Sequence, residues 1–152
     1  AGREIDVIMT VETKGIPLAY ATAMYLNLPV VIVRRDNKVT EGSAVSINYV
    51  SGSTKRIQTM SLARRALKEQ SRVLIIDDFM KAGGTVQGMI DLLAEFNATV
   101  AGVGVFVESG EVGADERLLH DYVSLARLAH VDLKTKQTVV VPGNYFDGMA
   151  IS

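Results

Sequence analysis

The chain lacks cysteine, carries only two histidines, and has a formal net charge of −1 over 152 residues. Without cysteine there are no disulfides and no thiolate metal ligands. His120 and His130 are too few and too dispersed for a zinc site. The near-neutral balance gives no support for gripping nucleic acid through the overall field, a mode that uses a strongly basic face. No apolar run approaches the roughly 20 residues needed to span a bilayer, and nothing at the start resembles a signal peptide. The cytoplasm is the expected location. Two phosphate motifs are also missing. GxxxxGK[ST] occurs nowhere, and Gly102 and Gly104 lie in an apolar run without the third glycine of a dinucleotide fingerprint. Internal repeats and low-complexity segments are absent too.

What remains is a chain 48% hydrophobic and 22% charged, the composition of one globular domain with a proper core. Ile5 to Met9 reads as a buried strand that ends in the polar turn Thr10 to Gly15. Pro17 suits the first turn of a helix, and Pro29 to Val33 is a second buried strand. Strand, helix, strand predicts a right-handed parallel crossover. Arg34 to Gly42 reads as a charged loop. Ala44 to Ser61 reads as a β-hairpin standing apart from the parallel sheet, and Leu62 to Lys68 as a short helix. Further strands are expected over Ala98 to Val107, Tyr122 to Leu133 and Thr138 to Val141, with a helical turn at Asp115 to His120. The predicted fold class is α/β: a parallel sheet with flanking helices and a protruding hairpin.

The most informative stretch is Val73 to Thr85, VLIIDDFMKAGGT. An apolar strand is followed, where it should end, by two adjacent carboxylates, Asp77 and Asp78. Gly83 and Gly84 form a turn, and Thr85 opens a helix that runs to about Asn97. Glycines let the backbone approach an anion, and amides at a helix start offer it about half a positive charge. The carboxylates can accept from vicinal hydroxyls or hold a cation through water. A strand merely turning into a helix is the plain structural alternative; paired carboxylates at the strand end favour a site for a phosphorylated sugar. Ligands bind beyond the carboxyl ends of parallel strands, which gathers Thr10–Gly15, Arg34–Arg35 and Asp77–Thr85 around one crevice.

These residues resemble the phosphoribosyl pyrophosphate motif of the type I phosphoribosyltransferases. TVETKG resembles that family's pyrophosphate loop, and Ala44 to Ser61 its flexible flap. TKGIPLAYA, VRRDNKVTEGSAVSINYVSGS, RIQTMSLARR and DDFMKAGGT together are similar to the effector domain of the bacterial purine operon repressors. That family joins a winged-helix DNA-binding domain to a phosphoribosyltransferase-like domain and takes phosphoribosyl pyrophosphate as inducer rather than substrate. The resemblance implies a winged helix before Ala1, a homodimer and DNA as a partner through the missing domain; the lack of a long apolar run separately predicts no membrane association. By the same resemblance, Asp77 and Asp78 accept from the ribose hydroxyls, while Phe79, Met80, Lys81, Ala82, Gly83, Gly84 and Thr85 surround the 5′-phosphate. Thr13, Lys14 and Gly15 meet the pyrophosphate, with Mg²⁺ bridging its oxygens and no direct protein ligand to the metal. Arg34, Arg35 and Tyr49 are further candidates, although solvated loop ends account for the arginines and packing for Tyr49. No residue is assigned a catalytic role. Lys81 would set a cation beside a developing oxocarbenium ion, which favours binding without turnover. The alternatives are an active purine (xanthine or adenine) phosphoribosyltransferase and, more weakly, a metal-dependent phosphatase.

Overall fold

Five consecutive buried residues, Val7–Val11 (VIMTV, β1), lie near the middle of the sheet. A strand buried on both faces needs apolar side chains at every position rather than alternate ones, and only Thr10 departs from that. The structure, a computed structural model, describes residues 4–35, 43–51, 56–109, 121–132 and 137–146. After β1 come α1 (Ile16–Leu26), β2 (Val30–Arg35), β3 (Ala44–Val50), β4 (Ile57–Ala63), β5 (Arg72–Met80) and α2 (Gly84–Glu95). β6 (Thr99–Ser109), β7 (Val123–Asp132) and β8 (Gln137–Pro142) complete an eight-stranded sheet of order β3-β4-β2-β1-β5-β6-β7-β8. Its centre, β2-β1-β5-β6-β7, is parallel, and both margins are antiparallel.

The two helices cover opposite faces. Val7, Met9 and Val11 share a core with Val73, Ile75, Val103 and Val105 and with Val86, Met89, Leu92 and Leu93 of α2. Ile8 points the other way and packs with Ala19 and Ala23 of α1, flanked by Leu74 and Ile76. Each fully buried side chain such as Met89 or Leu92 contributes about 1.5–3 kcal/mol by leaving water. Asn27, left-handed at φ 56°, ends α1 and donates its N–H to the Ala23 carbonyl. No helix among the described residues is long and apolar enough to cross a membrane.

Three local expectations change. The hairpin forms, but β4 also pairs with the end of β2 through Arg34↔Ser61 and Arg35↔Met60, so it extends the sheet instead of standing apart. It also rests on α2, because a Cβ at Gly88 would lie 2.8 Å from Met60 Cε and 2.9 Å from Tyr49 Cβ. The expected helix over Leu62 to Lys68 shrinks to one 3₁₀ turn, Arg64–Ala66. Pairing of Leu62 with Val45 and of Ala63 with Ala44 keeps the preceding residues in the strand. β5 runs on to Met80 because Phe79 and Met80 pair with Val107 and Glu108 of β6. The two aspartates therefore lie within the strand, not at its end. Arg34 and Arg35 belong to β2, while the rest of the predicted charged loop, the hairpin tip and the helical turn at Asp115 to His120 lie outside the described residues.

Candidate functional site

β5 delivers Asp77 to the core and leaves Asp78 half-buried beside it, and the Asp78 N–H donates to Asp77 Oδ1 at 2.9 Å. Asp77 is only 5% exposed. Burial pushes its carboxyl up from 3.8 to about 7, assisted by the hydrogen bond and the negative charge of the Asp78 side chain; the Asp78 amide and the Arg35 charge pull the other way. Near neutrality Asp77 therefore exchanges a proton readily.

Beyond the acids, the chain turns at Gly83, whose φ of 92° only glycine adopts without strain. α2 begins at the next residue. Asp77, Phe79, Met80, Lys81, Ala82, Gly83, Gly84, Thr85 and Val86 line a cavity of about 110 Å³ at this helix start. Eight of these nine were expected in the site; Val86 is the addition. Asp78 does not line the cavity; its N–H is bonded to Asp77, which does. Lys81 lines the cavity and is itself exposed.

The loop after β1 reaches the same place from the other side. A Cβ built on Gly15 would lie 3.7 Å from Asp77 Oδ1 and 2.3 Å from Thr10 Oγ1. No other residue fits there without displacing its neighbours. The Glu12–Thr13 peptide bond is cis. Thr13 and Lys14 are exposed and Gly15 is buried. Glu12 Oε1 accepts the Arg35 N–H at 2.8 Å, which ties this loop to the end of β2. Arg35 also faces Asp77 electrostatically, and its Nε is buried without a partner among the described residues. The expected convergence of three strand ends thus includes Gly15, Asp77 and Arg35; Arg34 is exposed. Tyr49 sits elsewhere, 5% exposed within β3 of the hairpin and packed toward α2, with its hydroxyl donating to Gln58 Oε1 at 3.0 Å. The arrangement can bind a phosphate at the helix start, present acceptors to hydroxyls, and place cations beside a second anionic group.

Sequence reasoning included Thr10 and Glu12 only as members of the turn Thr10 to Gly15, without a role of their own, and passed over Val86. Thr10 was expected in the turn, but β1 runs on to Val11 and makes it the one polar residue of an otherwise apolar strand. Glu12 had no signal, since its role depends on which strand lies beside β1. No cluster of three His, Asp or Glu residues that could cage a metal occurs among the described residues. Mg²⁺ usually keeps several waters and binds largely through substrate phosphates, a mode that needs no dedicated protein cage and leaves Asp77 and Asp78 to act through water or hydroxyls.

A family model, the phosphoribosyl transferase domain, matches residues 1–141. The purine biosynthesis transcriptional repressor PurR of Bacillus subtilis is 68% identical over 145 residues, 95% of this chain and 50% of that protein. A purine biosynthesis transcriptional activator of Lactococcus lactis is 46% identical over 95% of this chain and 53% of that protein. The xanthine phosphoribosyltransferase of Alkaliphilus metalliredigens is 32% identical over 91% of this chain and 69% of that enzyme. Among solved structures, adenine phosphoribosyltransferase from Thermoanaerobacter pseudethanolicus superposes with a TM-score of 0.73 at 24% identity, over 83% of this chain and 72% of that one. That likeness bears on the fold, which is of the type I phosphoribosyltransferase kind. The chain spans about half the length of the curated regulators it matches.

Proposed function

Because the chain belongs to the phosphoribosyl transferase domain family, we propose that it is the ligand-sensing unit of a purine transcriptional regulator, taking phosphoribosyl pyrophosphate with Mg²⁺. The observation that carries this reading is the meeting of two separate loops at Asp77, with Gly15 on one side and the Phe79–Thr85 turn on the other. A ligand with phosphate at one end of a ribose and pyrophosphate at the other has the shape of that pair. The amides from Met80 to Thr85 and the Thr85 hydroxyl hold the 5′-phosphate. Asp77 and Asp78 accept from the ribose hydroxyls. Thr13, Lys14 and Gly15, with Arg35 behind them, meet the pyrophosphate, whose charge Mg²⁺ partly neutralises.

The regulatory relatives carry opposite signs in their names, repressor and activator, so the direction of the response belongs to the whole protein. The proposed direction is relief of DNA binding by an attached domain, in the cytoplasm. A homodimer belongs to the same reading; α1 would offer it an apolar surface, with Tyr20, Met24 and Tyr25 exposed. Sedimentation of the protein with and without ligand tests that state.

Calorimetry with phosphoribosyl pyrophosphate and Mg²⁺ tests the site. Asp77→Ala combined with Asp78→Ala should abolish the heat of binding, and unchanged affinity would overturn the assignment. An operator-binding assay on the intact protein, with and without the ligand, then tests the response.

The second reading is a purine phosphoribosyltransferase. It is favoured by Asp77, whose carboxyl at about 7 suits acid–base exchange at neutral pH, and by the similarity to xanthine phosphoribosyltransferases. Against it stands Lys81 on the cavity wall, where a cation opposes positive charge developing on the sugar. Incubation with adenine, guanine, hypoxanthine and xanthine decides: steady nucleotide formation establishes the enzyme, and binding without product the sensor.

A further inference from the structure

Thr10 is the exception within β1. Its neighbours Val7, Ile8, Met9 and Val11 are buried and apolar, and Thr10 itself is 0% exposed. Valine has almost the same shape, favours strands at least as strongly, and would bring no hydroxyl into the core. Thr10 Oγ1 is nevertheless inaccessible to solvent and has no hydrogen-bond partner among the described residues. It is also aimed at the site. A Cβ on Gly15 would come within 2.3 Å of it, and the same point lies 3.7 Å from Asp77 Oδ1. The orphaned hydroxyl therefore occupies the space a side chain at Gly15 would need, next to the loop that the proposed function assigns to pyrophosphate.

Buried hydroxyls are costly to leave unmet, and the exceptions call for an explanation. Simple packing does not supply one, because valine packs as well without the cost. A partner that arrives in another state of the loop does. The loop is fastened at both ends, by the Ile16 N–H to the Thr13 carbonyl and by Glu12 to the Arg35 N–H. Reorienting its peptide groups toward an anion changes what Thr10 Oγ1 faces, while the strand beneath stays fixed.

We infer that Thr10 is a positioning residue for the loop Thr13–Gly15: its hydroxyl is unsatisfied in the resting loop and hydrogen-bonds to the loop backbone once pyrophosphate draws the loop into its binding conformation. This role rests on the reading of the site as one for phosphoribosyl pyrophosphate. It makes Thr10 a contributor to affinity for the pyrophosphate end alone.

The test compares Thr10→Val and Thr10→Ser in the intact protein. Calorimetry uses two ligands, phosphoribosyl pyrophosphate with Mg²⁺ and ribose 5-phosphate, which lacks the pyrophosphate. Thr10→Val should raise the melting temperature of the ligand-free protein, since it removes an unmet hydroxyl. It should weaken phosphoribosyl pyrophosphate binding about tenfold, the yield of one net hydrogen bond. Ribose 5-phosphate affinity should stay within about twofold, a change worth less than ~0.5 kcal/mol. Thr10→Ser, which keeps the hydroxyl, should restore the lost affinity. Equal weakening of both ligands, or undiminished phosphoribosyl pyrophosphate binding by Thr10→Val, overturns the role while leaving the proposed function standing. A wild-type protein that binds neither ligand overturns the proposed function and this role with it.

Discussion

Asp77→Asn should stabilise the ligand-free protein, and by an amount set by pH. In the folded chain Asp77 is 5% exposed, and burial first, then Asp78, raises its carboxyl from 3.8 to about 7. The folded state therefore holds this proton more tightly than the unfolded chain does. Between about pH 4 and pH 7 the folded state binds more protons, so the group's contribution to stability falls as pH rises through that window. Below it both states are protonated and no penalty exists; above it the penalty is complete. At roughly 1.4 kcal/mol per pKa unit the displacement amounts to about 4 kcal/mol. Asparagine has the same shape, can accept the Asp78 N–H, and does not titrate. The stability difference between variant and wild type should thus widen by about 4 kcal/mol from about pH 4 to about pH 8. Urea unfolding of both proteins across that range measures it. A difference that stays constant with pH, or narrows toward the alkaline end, would refute the placement of a protonatable Asp77 in the core.

The remaining expectations concern the residues around that carboxyl and the supports of the sheet. Hydroxyl donors from a bound ribose favour ionised Asp77, so phosphoribosyl pyrophosphate binding should release a proton below about pH 7 and tighten by up to about tenfold per pH unit until then; the buffer dependence of the calorimetric heat reports it. Gly15→Ala places its Cβ against Thr10 Oγ1 and should cost about 1–3 kcal/mol in urea unfolding, with loss of pyrophosphate binding. Gly88→Ala, driven against Tyr49 and Met60, should cost a similar 1–3 kcal/mol and speed hydrogen exchange in β3 and β4. Arg127→Met removes one charged partner of Glu108, a carboxylate that is fully buried; about 1–3 kcal/mol of stability should be lost, and most of it recovered when Glu108→Gln is added.

The parallel core was legible because Ile5–Met9, Pro29–Val33 and Ala98–Val107 are apolar at nearly every position, a pattern that strands buried on both faces require. The turn into α2 was legible for a different reason: Gly83 meets a backbone demand that few other residues can. The misplaced ends share one cause. Polar residues mark a strand end only when no neighbouring strand continues the ladder, and Val107 and Glu108 continue it past both aspartates. The same applies to Leu62 and Ala63, whose helix-compatible sequence yields to pairing with Val45 and Ala44. The hairpin's attachment to β2 was invisible for a related reason, since edge pairing depends on where two distant segments land. Glu12 and Arg35 were each visible as charges, but not as a pair.

Topology accounts for the position of the site. From β1 the chain crosses to β2 on one side, and from β5 to β6 on the other. Right-handed crossovers in opposite directions must place their helices on opposite faces, and α1 and α2 do occupy separate cores. The loops that lead into them therefore part at the boundary between β1 and β5 and leave a crevice there. Val7, Ile8 and Met9 pair with Val73, Leu74 and Ile75, and that register carries Gly15 and Asp77 to the two lips of the crevice. A one-residue slip would turn Asp77 to the face of α1 and Asp78 to the face of α2, and the two carboxylates would exchange burial. The raised carboxyl of Asp77, the hydroxyl of Thr10 and the close approach of Gly15 all follow from that one register. Substitutions that weaken the β1–β5 pairing should consequently disturb proton uptake and ligand binding together.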